Sequence, residues 1–209
     1  MYHSDDFPHI PRYSAFVEAC HNTIPILEKI LTILLVSKTP LRIVDSTMLP
    51  VCKLVRADRH KVAKRIATYG KNHQGWHYGF KMHTTVDLTG RLASVYFTGA
   101  HFYDVQALPF LLNKHTRIVV GDGTYQASVM RTRIWREFGC HVVTPPHYKQ
   151  VRKLMASWQH KLLLLRPKIE TVFDYLKEHL HLVTSFPRSV RGYYFHYLKV
   201  LVGYQFLKG

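Results

Sequence analysis

Two short apolar runs, each followed at once by an aspartate, set the strongest constraint on how this chain folds. Residues 41–44 read LRIV and lead into Asp45, and residues 117–121 read RIVVG and lead into Asp122. Apolar runs of this kind are typical of strands that are buried on both faces. We therefore predict a sheet covered by helices, in which two strands present an acid at their ends.

The rest of the pattern adds helices and one hairpin to these strands. Residues 14–36 have helical periodicity with a break at Pro25. The densely basic residues 53–77 predict a loop, which could include a helical turn. Residues 78–86 and 91–98 flank a glycine-containing turn and predict a β-hairpin. The order is completed by a short helix over 104–113, a helix over 126–138, a strand over 140–144 and helices from there to the end. This order favours an α/β fold with a mixed sheet and helices on its faces.

The charge of the chain indicates what it binds. The 209 residues include 29 Lys and Arg against 13 Asp and Glu, so the formal net charge is +16. Because 47% of the residues are hydrophobic, the chain should also bury a core, which a disordered basic tail cannot do. A folded body of this charge favours a polyanion as its partner, above all nucleic acid.

The scarce acids include a pair that could hold a metal ion. Two carboxylates side by side repel each other unless a cation lies between them, and Mg²⁺ is the natural cation for oxygen ligands that also receive phosphate. Asp45 and Asp122 fit this description. Taken alone, each of them is more often a turn-forming or helix-capping residue, and that alternative stays open.

Glu170 is a third candidate acid, on a predicted helix. On a helical wheel of residues 165–180 the apolar residues form one broad stripe, and Arg166, Glu170 and Lys177 lie within an arc of about 40° at its edge. A helix packed on the sheet could aim these side chains at the crevice. The alternative is an ordinary surface pair between Arg166 and Glu170, one helical turn apart.

Four blocks of the sequence, from about residue 13 to the end, resemble DDE-type insertion-sequence transposases, whose catalytic core is RNase H-like. The first is IVDSTMLPVCKLVR around Asp45, and the second is the hairpin YGFKMHTTVDLTGRLASVYFTGAHFYD. The third is VVGDGTYQ around Asp122, close to the family's D-x-G-Y. The fourth is similar to the signature Y-x2-R-x3-E-x6-K, with Leu163 in place of the tyrosine and Arg166, Glu170 and Lys177 at the required spacing.

The resemblance implies an RNase H-like mixed sheet flanked by helices, with a helical segment over residues 1–40 and the catalytic domain over residues 41–209. It implies that Asp45, Asp122 and Glu170 are catalytic and hold two Mg²⁺ ions, for which Mn²⁺ can substitute. The implied reaction is cleavage of DNA strands at the ends of an insertion sequence, followed by strand transfer. Only 44 residues precede Asp45, fewer than such proteins usually carry, so we expect an N-terminally truncated copy.

The same resemblance assigns phosphate-binding roles to basic residues. Arg166 and Lys177 would hold DNA phosphates near the metal ions, and Lys81 on the hairpin is a weaker candidate. The basic stretch that could line a DNA channel contains Arg56, Arg59, Lys61, Lys64, Arg65 and Lys71. Its alternative is an ordinary solvated basic surface. Asp104 is expected to stabilise its loop rather than to bind metal.

The implied partners are DNA, as transposon ends and target, and a second copy of the chain in a homodimer. Charged or ionisable side chains interrupt the longest apolar stretches, 24–36 and 193–207, so we predict core helices and no membrane partner. Three widely spaced cysteines suit a reducing interior, and we expect the chain in the bacterial cytoplasm, at the nucleoid. Two other functions stay open: a catalytically incompetent DNA-binding remnant, and an RNase H-like nuclease without strand transfer.

Overall fold

The computed structural model describes residues 11–147 and 155–209, and a mixed six-stranded sheet lies at its centre. The strands are β1 Leu41–Pro50, β2 Thr68–Asn72, β3 Gly75–Val86, β4 Leu92–Gly99, β5 Ile118–Val120 and β6 His141–Val143. β3 lies antiparallel between β1 and β4 and also pairs with β2, whereas β5 and β6 extend the sheet parallel to β1. This order, with helices on both faces, is an RNase H-like fold and confirms the predicted fold class.

Helices cover both faces of the sheet. They are α1 Tyr13–Asn22, α2 Ile24–Leu34, α3 Asp104–Leu111, α4 Ser128–Phe138, α5 Ser157–Leu163, α6 Pro167–Asp174 and α7 Val190–Lys208. Short 3-10 turns lie at Leu54–Arg59 and Gly123–Tyr125, and α6 continues as a π-helical turn, Tyr175–His179. Within the two described ranges, no helix is long and apolar enough to cross a membrane.

Two apolar cores lie on the two faces of the sheet. The larger joins Ile43 of β1 to Ile169 of α6 and Leu201 of α7, all of them buried. The smaller joins Val44 of β1 to Leu108 of α3 and to the buried side of α4. Because neighbouring side chains of a strand point to opposite faces, successive residues of β1 enter different cores.

The N-terminal helix α2 belongs to the larger core. Ile24 and Leu31 are buried in it, and α2 packs against α7. Gln205 of α7 is fully buried and uses its side-chain amide to join three elements. It accepts from the N–H of Leu92 at 2.9 Å and donates to the carbonyl groups of Leu34 and Leu92 at 2.8 and 3.1 Å. One side chain thus ties α2, β4 and α7 together.

Two element predictions are wrong. The strand predicted over residues 41–44 continues to Pro50, because β3 pairs with β1 along that whole stretch, and Asp45 therefore lies inside a strand. The basic residues 53–77 contain the helical turn that the sequence allowed, at Leu54–Arg59, but the predicted loop also holds all of β2, which pairs with β3. Three buried alanines anchor this stretch to the larger core: Ala57, Ala63 and Ala67.

The other predicted elements agree with the structure. The hairpin is β3 and β4, and the helix break falls at Thr23, just before Pro25 in the first turn of α2. Gly139 ends α4 in the left-handed conformation, with φ 61°. The predicted C-terminal helices are α5, α6 and α7, but residues 180–189, before α7, are not helical. Residues 148–154 of that region lie outside the described residues.

Candidate active site

Asp45 and Asp122 lie on neighbouring parallel strands. β5 pairs with β1 from Leu41↔Ile118 to Ile43↔Val120, and it ends there. Continued by two residues, this register would set Asp122 opposite Asp45, and the charge of Asp122 does raise the pKa of Asp45. Asp45 is therefore inside β1, but at the point where β1 loses its parallel neighbour, which is where a crevice is expected in such a sheet.

Asp45 is held where its charge is disfavoured. Burial raises the pKa of Asp45 from 3.8 to about 6, and the negative charges of Asp122 and Asp104 add to this rise. The backbone N–H of Ser46, which donates to Asp45 Oδ1 at 2.7 Å, lowers the pKa, and so does the charge of Arg166. A carboxylate in these surroundings is stabilised by a nearby cation, which offsets both the burial and the repulsion.

Asp122 is oriented by the turn that follows β5. Its Oδ1 accepts from the backbone N–H of Thr124 at 2.9 Å and from the hydroxyl of the same threonine. Asp122 thus caps the 3-10 turn, which is the alternative role considered for it. Because both bonds use the same oxygen, capping and metal binding by Asp122 are compatible.

The helix α6 and the turn after it bring two cations to Asp45. The charge of Arg166 acts on the Asp45 carboxyl. Burial lowers the pKa of Lys177, and the negative charges of Asp174, Glu178 and Asp45 oppose that shift. Both predicted phosphate-binding residues of the signature therefore lie within electrostatic reach of the first acid.

Glu170 stands apart from the two aspartates. Its side chain is 56% exposed and its Oε1 lies 3.5 Å from Nη2 of Arg166, which is the surface pair considered as its alternative. Among the residues that the structure describes, no three acidic, histidine or cysteine side chains are grouped so that they could hold a metal ion. The structure thus brings together Asp45, Asp122, Arg166 and Lys177, with Glu170 one helical turn from Arg166.

The helical wheel holds only for α6 itself. Its apolar stripe is confirmed by the buried residues Ile169, Val172 and Phe173. Beyond Asp174 the chain widens into the π-helical turn, in which the N–H of Leu180 donates to the carbonyl of Tyr175 at 3.2 Å. The 40° arc predicted for all three polar residues therefore does not apply to Lys177.

A second charged cluster lies on the opposite face of β1. The Ser46 hydroxyl donates to Asp104 Oδ1 at 2.7 Å, and Lys81 Nζ donates to the same oxygen at 3.1 Å and to the carbonyl of Phe102 at 2.9 Å. His83 Nδ1 lies 3.5 Å from Asp104, and burial lowers the pKa of His83 to about 4. Lys81 is thus buried in an ion pair and not on a surface open to phosphate, while Asp104 holds its loop to the sheet.

Tyr125 is a residue near the site that the sequence interpretation did not single out. Its side chain is fully buried, and in the described part of the chain its hydroxyl has no hydrogen-bond partner. Burial raises the pKa of Tyr125, and the charges of Asp104, Asp45 and Asp122 raise it further. The only sequence signal for it is the tyrosine of the D-x-G-Y block.

The basic stretch presents its charges to solvent. All six of its predicted DNA-binding side chains are exposed: Arg56, Arg59, Lys61, Lys64, Arg65 and Lys71. The backbone beneath them is fixed by the buried alanines and by β2. These charges are therefore carried on an ordered surface.

Most of the chain is similar to a known protein family. A family model described as transposase DDE domain matches residues 36–190, which is more than half of the chain. The matched span contains both aspartates, Glu170 and the two cations beside them. No curated protein and no solved structure matches the chain.

Proposed function

Because the chain belongs to the family of transposase DDE domains, we propose that it is a DNA transposase that cleaves and transfers the strands of an insertion sequence. The observation that carries this proposal is the placement of Asp45 beside Asp122 where β5 ends. Oxygen ligands flanked by fixed cations are what phosphoryl transfer requires, because its catalysis consists mainly of positioning and charge stabilisation.

We propose Mg²⁺ as the cofactor, as two ions that Mn²⁺ can replace, with Asp45, Asp122 and Glu170 as ligands. The two aspartates fit this role, because they are hard oxygen donors whose mutual repulsion and burial a cation relieves. Glu170 is also a carboxylate, so its oxygens are suitable ligands for Mg²⁺. Its exposed side chain would leave its pair with Arg166 in order to bind the metal. When bound, such metal ions stabilise the attacking and leaving oxygens of an in-line displacement.

The chain's own residues would position the DNA. Arg166 and Lys177 would neutralise phosphates beside the aspartates, and the Ser46 N–H holds Asp45 in one orientation. The exposed charges of residues 56–71 would follow the DNA backbone away from the site. Transposon ends and target DNA are the proposed substrates, residues 41–209 the proposed catalytic domain, and a homodimer the proposed assembly.

Nicking of a supercoiled plasmid tests the proposal. We expect nicking that requires Mg²⁺ or Mn²⁺ and is lost in Asp122→Ala and Glu170→Ala. Glu137→Ala is the matched control, because Glu137 is also exposed and pairs with an arginine four residues earlier, Arg133, at 2.7 Å. Nicking without metal, or nicking that survives both site variants, would contradict the assignment.

One observation favours a second candidate function, a DNA-binding remnant without catalysis. Glu170 is paired with Arg166 and does not join the two aspartates. A remnant would bind DNA with steep salt dependence and produce no nicks under any metal. A nuclease of the same fold would nick DNA but fail to join the freed 3′-OH to a second duplex.

A further inference from the structure

A groove of about 430 Å³ opens beyond the end of β1. Its walls include Pro50, Trp76 and Phe186, which come from three separate parts of the chain. Trp76 is 56% exposed and Phe186 is 85% exposed. Two large aromatic side chains that stay in water in one groove indicate a binding surface, because burying them would be favourable.

The groove is basic. Lys53 contributes to its wall, and the Nζ of Lys71 lies 5.9 Å from the centre of the Trp76 ring. The described residues that line it include no Asp or Glu. Aromatic faces next to lysines are the combination that binds unpaired nucleic-acid strands, since bases stack on the rings and phosphates contact the cations.

His77 connects this groove to the candidate active site. It lines the groove, and its Nε2 lies 2.9 Å from Asn72 Oδ1. Burial lowers the pKa of His77, and the positive charge of Lys177 lowers it further. The negative charge of Asp45 in turn opposes the fall that burial causes in the pKa of Lys177. Pro50 follows Asp45 by five residues in the same strand. At about 3.3 Å per residue that is roughly 17 Å, the length of about five stacked nucleotides.

We propose that this groove binds unpaired bases of the DNA strand that flanks the cleaved phosphate, with Trp76 and Phe186 as stacking surfaces. The position of the groove relative to a cleaved phosphate rests on the proposed function, whereas its preference for unpaired bases rests on its own residues. A blunt duplex keeps its bases stacked inside the helix, so the groove selects DNA whose end is frayed or single-stranded.

Fluorescence anisotropy with the full chain tests this selection. The probes are a labelled 20-base-pair blunt duplex, the same duplex with five unpaired nucleotides at one end, and the isolated strand. We expect Trp76→Ala to weaken binding of the two probes with unpaired bases roughly 5- to 150-fold, which is the usual effect of removing one stacking ring. Binding of the blunt duplex should change less than about twofold. Trp76→Phe should retain most of the affinity, because it keeps an aromatic face.

Trp135→Ala is the matched control, since Trp135 is 52% exposed on α4 and lies outside the groove. Unchanged binding of the unpaired probes by Trp76→Ala would overturn the proposal. An equal loss on the blunt duplex, or tighter binding of single-stranded RNA than of DNA, would overturn it as well. Thermal unfolding of each variant verifies that it is folded.

The nicking assay separates this proposal from the proposed function. Binding that depends on Trp76, in a chain that never nicks DNA, would support the groove and reject the transposase reaction. Metal-dependent nicking with no effect of Trp76→Ala on binding would reject the groove alone.

Discussion

The hydroxyl of Ser46 donates to Asp104 at 2.7 Å, on the face of β1 opposite to that of Asp45. The backbone N–H of the same serine donates to Asp45, also at 2.7 Å. One residue therefore links the partly buried acid of the candidate site to the ion pair between Asp104 and Lys81. The orientation of Asp45 depends in this way on how α3 packs behind the sheet.

Replacing Ser46 by alanine should remove this link. We expect Ser46→Ala to lower the free energy of unfolding by about 1–3 kcal/mol, because a hydrogen bond to a charged acceptor is lost in a half-buried place. Urea unfolding measures the change. Ser128→Ala, at the exposed start of α4, should change the stability by less than about 0.5 kcal/mol. Equal effects of the two variants would argue against the link.

Replacing Asp45 by asparagine should change how stability depends on pH. Because the pKa of Asp45 is raised from 3.8 to about 6, the folded protein holds a proton that the unfolded chain has released between these values. The resulting stability is complete below about pH 4 and is lost as the pH rises through 6. In metal-free buffer, Asp45→Asn should therefore match the wild type near pH 3.5 and exceed its stability by about 2–3 kcal/mol at pH 8.

Denaturant unfolding at several pH values measures this difference. Addition of Mg²⁺ at pH 8 should then raise the melting temperature of the wild type and leave that of Asp45→Asn unchanged, since a ligand stabilises only the protein that binds it. Parallel pH profiles of the two proteins would show that burial does not disfavour the Asp45 charge.

Replacing Lys177 by alanine should weaken DNA binding, most strongly at low salt. If Lys177 contacts one phosphate, the slope of log K against log salt should become shallower by about 0.9. The matched control is Lys168→Ala, which removes an exposed lysine from the same helical region. Titrations at four or more salt concentrations provide the slopes. Identical slopes for both variants would remove Lys177 from the DNA-binding surface.

Replacing Gly79 by alanine should destabilise the sheet. A β-carbon there would collide with the carbonyl oxygen of Leu49 on the paired strand, and only a shift of backbone could relieve this contact. We expect a loss of more than about 2 kcal/mol. Gly203→Ala is the control, because nothing lies within 4 Å of its added carbon and alanine favours the helix by about 0.5–1 kcal/mol. Thermal unfolding would show opposite shifts for the two.

Local signals account for the elements that the sequence predicts well. The turn at residues 87–90 determines where β3 ends and β4 begins, and the left-handed Gly139 determines where α4 ends. Neither signal depends on distant residues. β2 is different, because its strand conformation comes from pairing with β3 and its Gly70 packs against Ala100. The residues of the basic stretch 53–77 contain no local signal for this pairing with β3.

The candidate site, like the fold, is only partly predictable from the sequence. Asp45 and Asp122 could be paired from sequence, because each follows a buried apolar run. The continuation of β1 past Asp45 could not, since it depends on β3 extending further than β5. The Glu170 side chain can turn either to Arg166 or to a metal ion. The sequence is compatible with both directions, so it does not predict which one the side chain takes.

Gln205 sets a limit on how far the chain can be shortened. Cutting away residues 1–40 would remove the Leu34 carbonyl, leave a buried amide hydrogen without its acceptor, and uncover the side of α7 that α2 protects. α1, by contrast, contributes no buried side chain. A minimal folded unit should therefore begin near Thr23, so that the whole of α2 precedes the strand that carries Asp45.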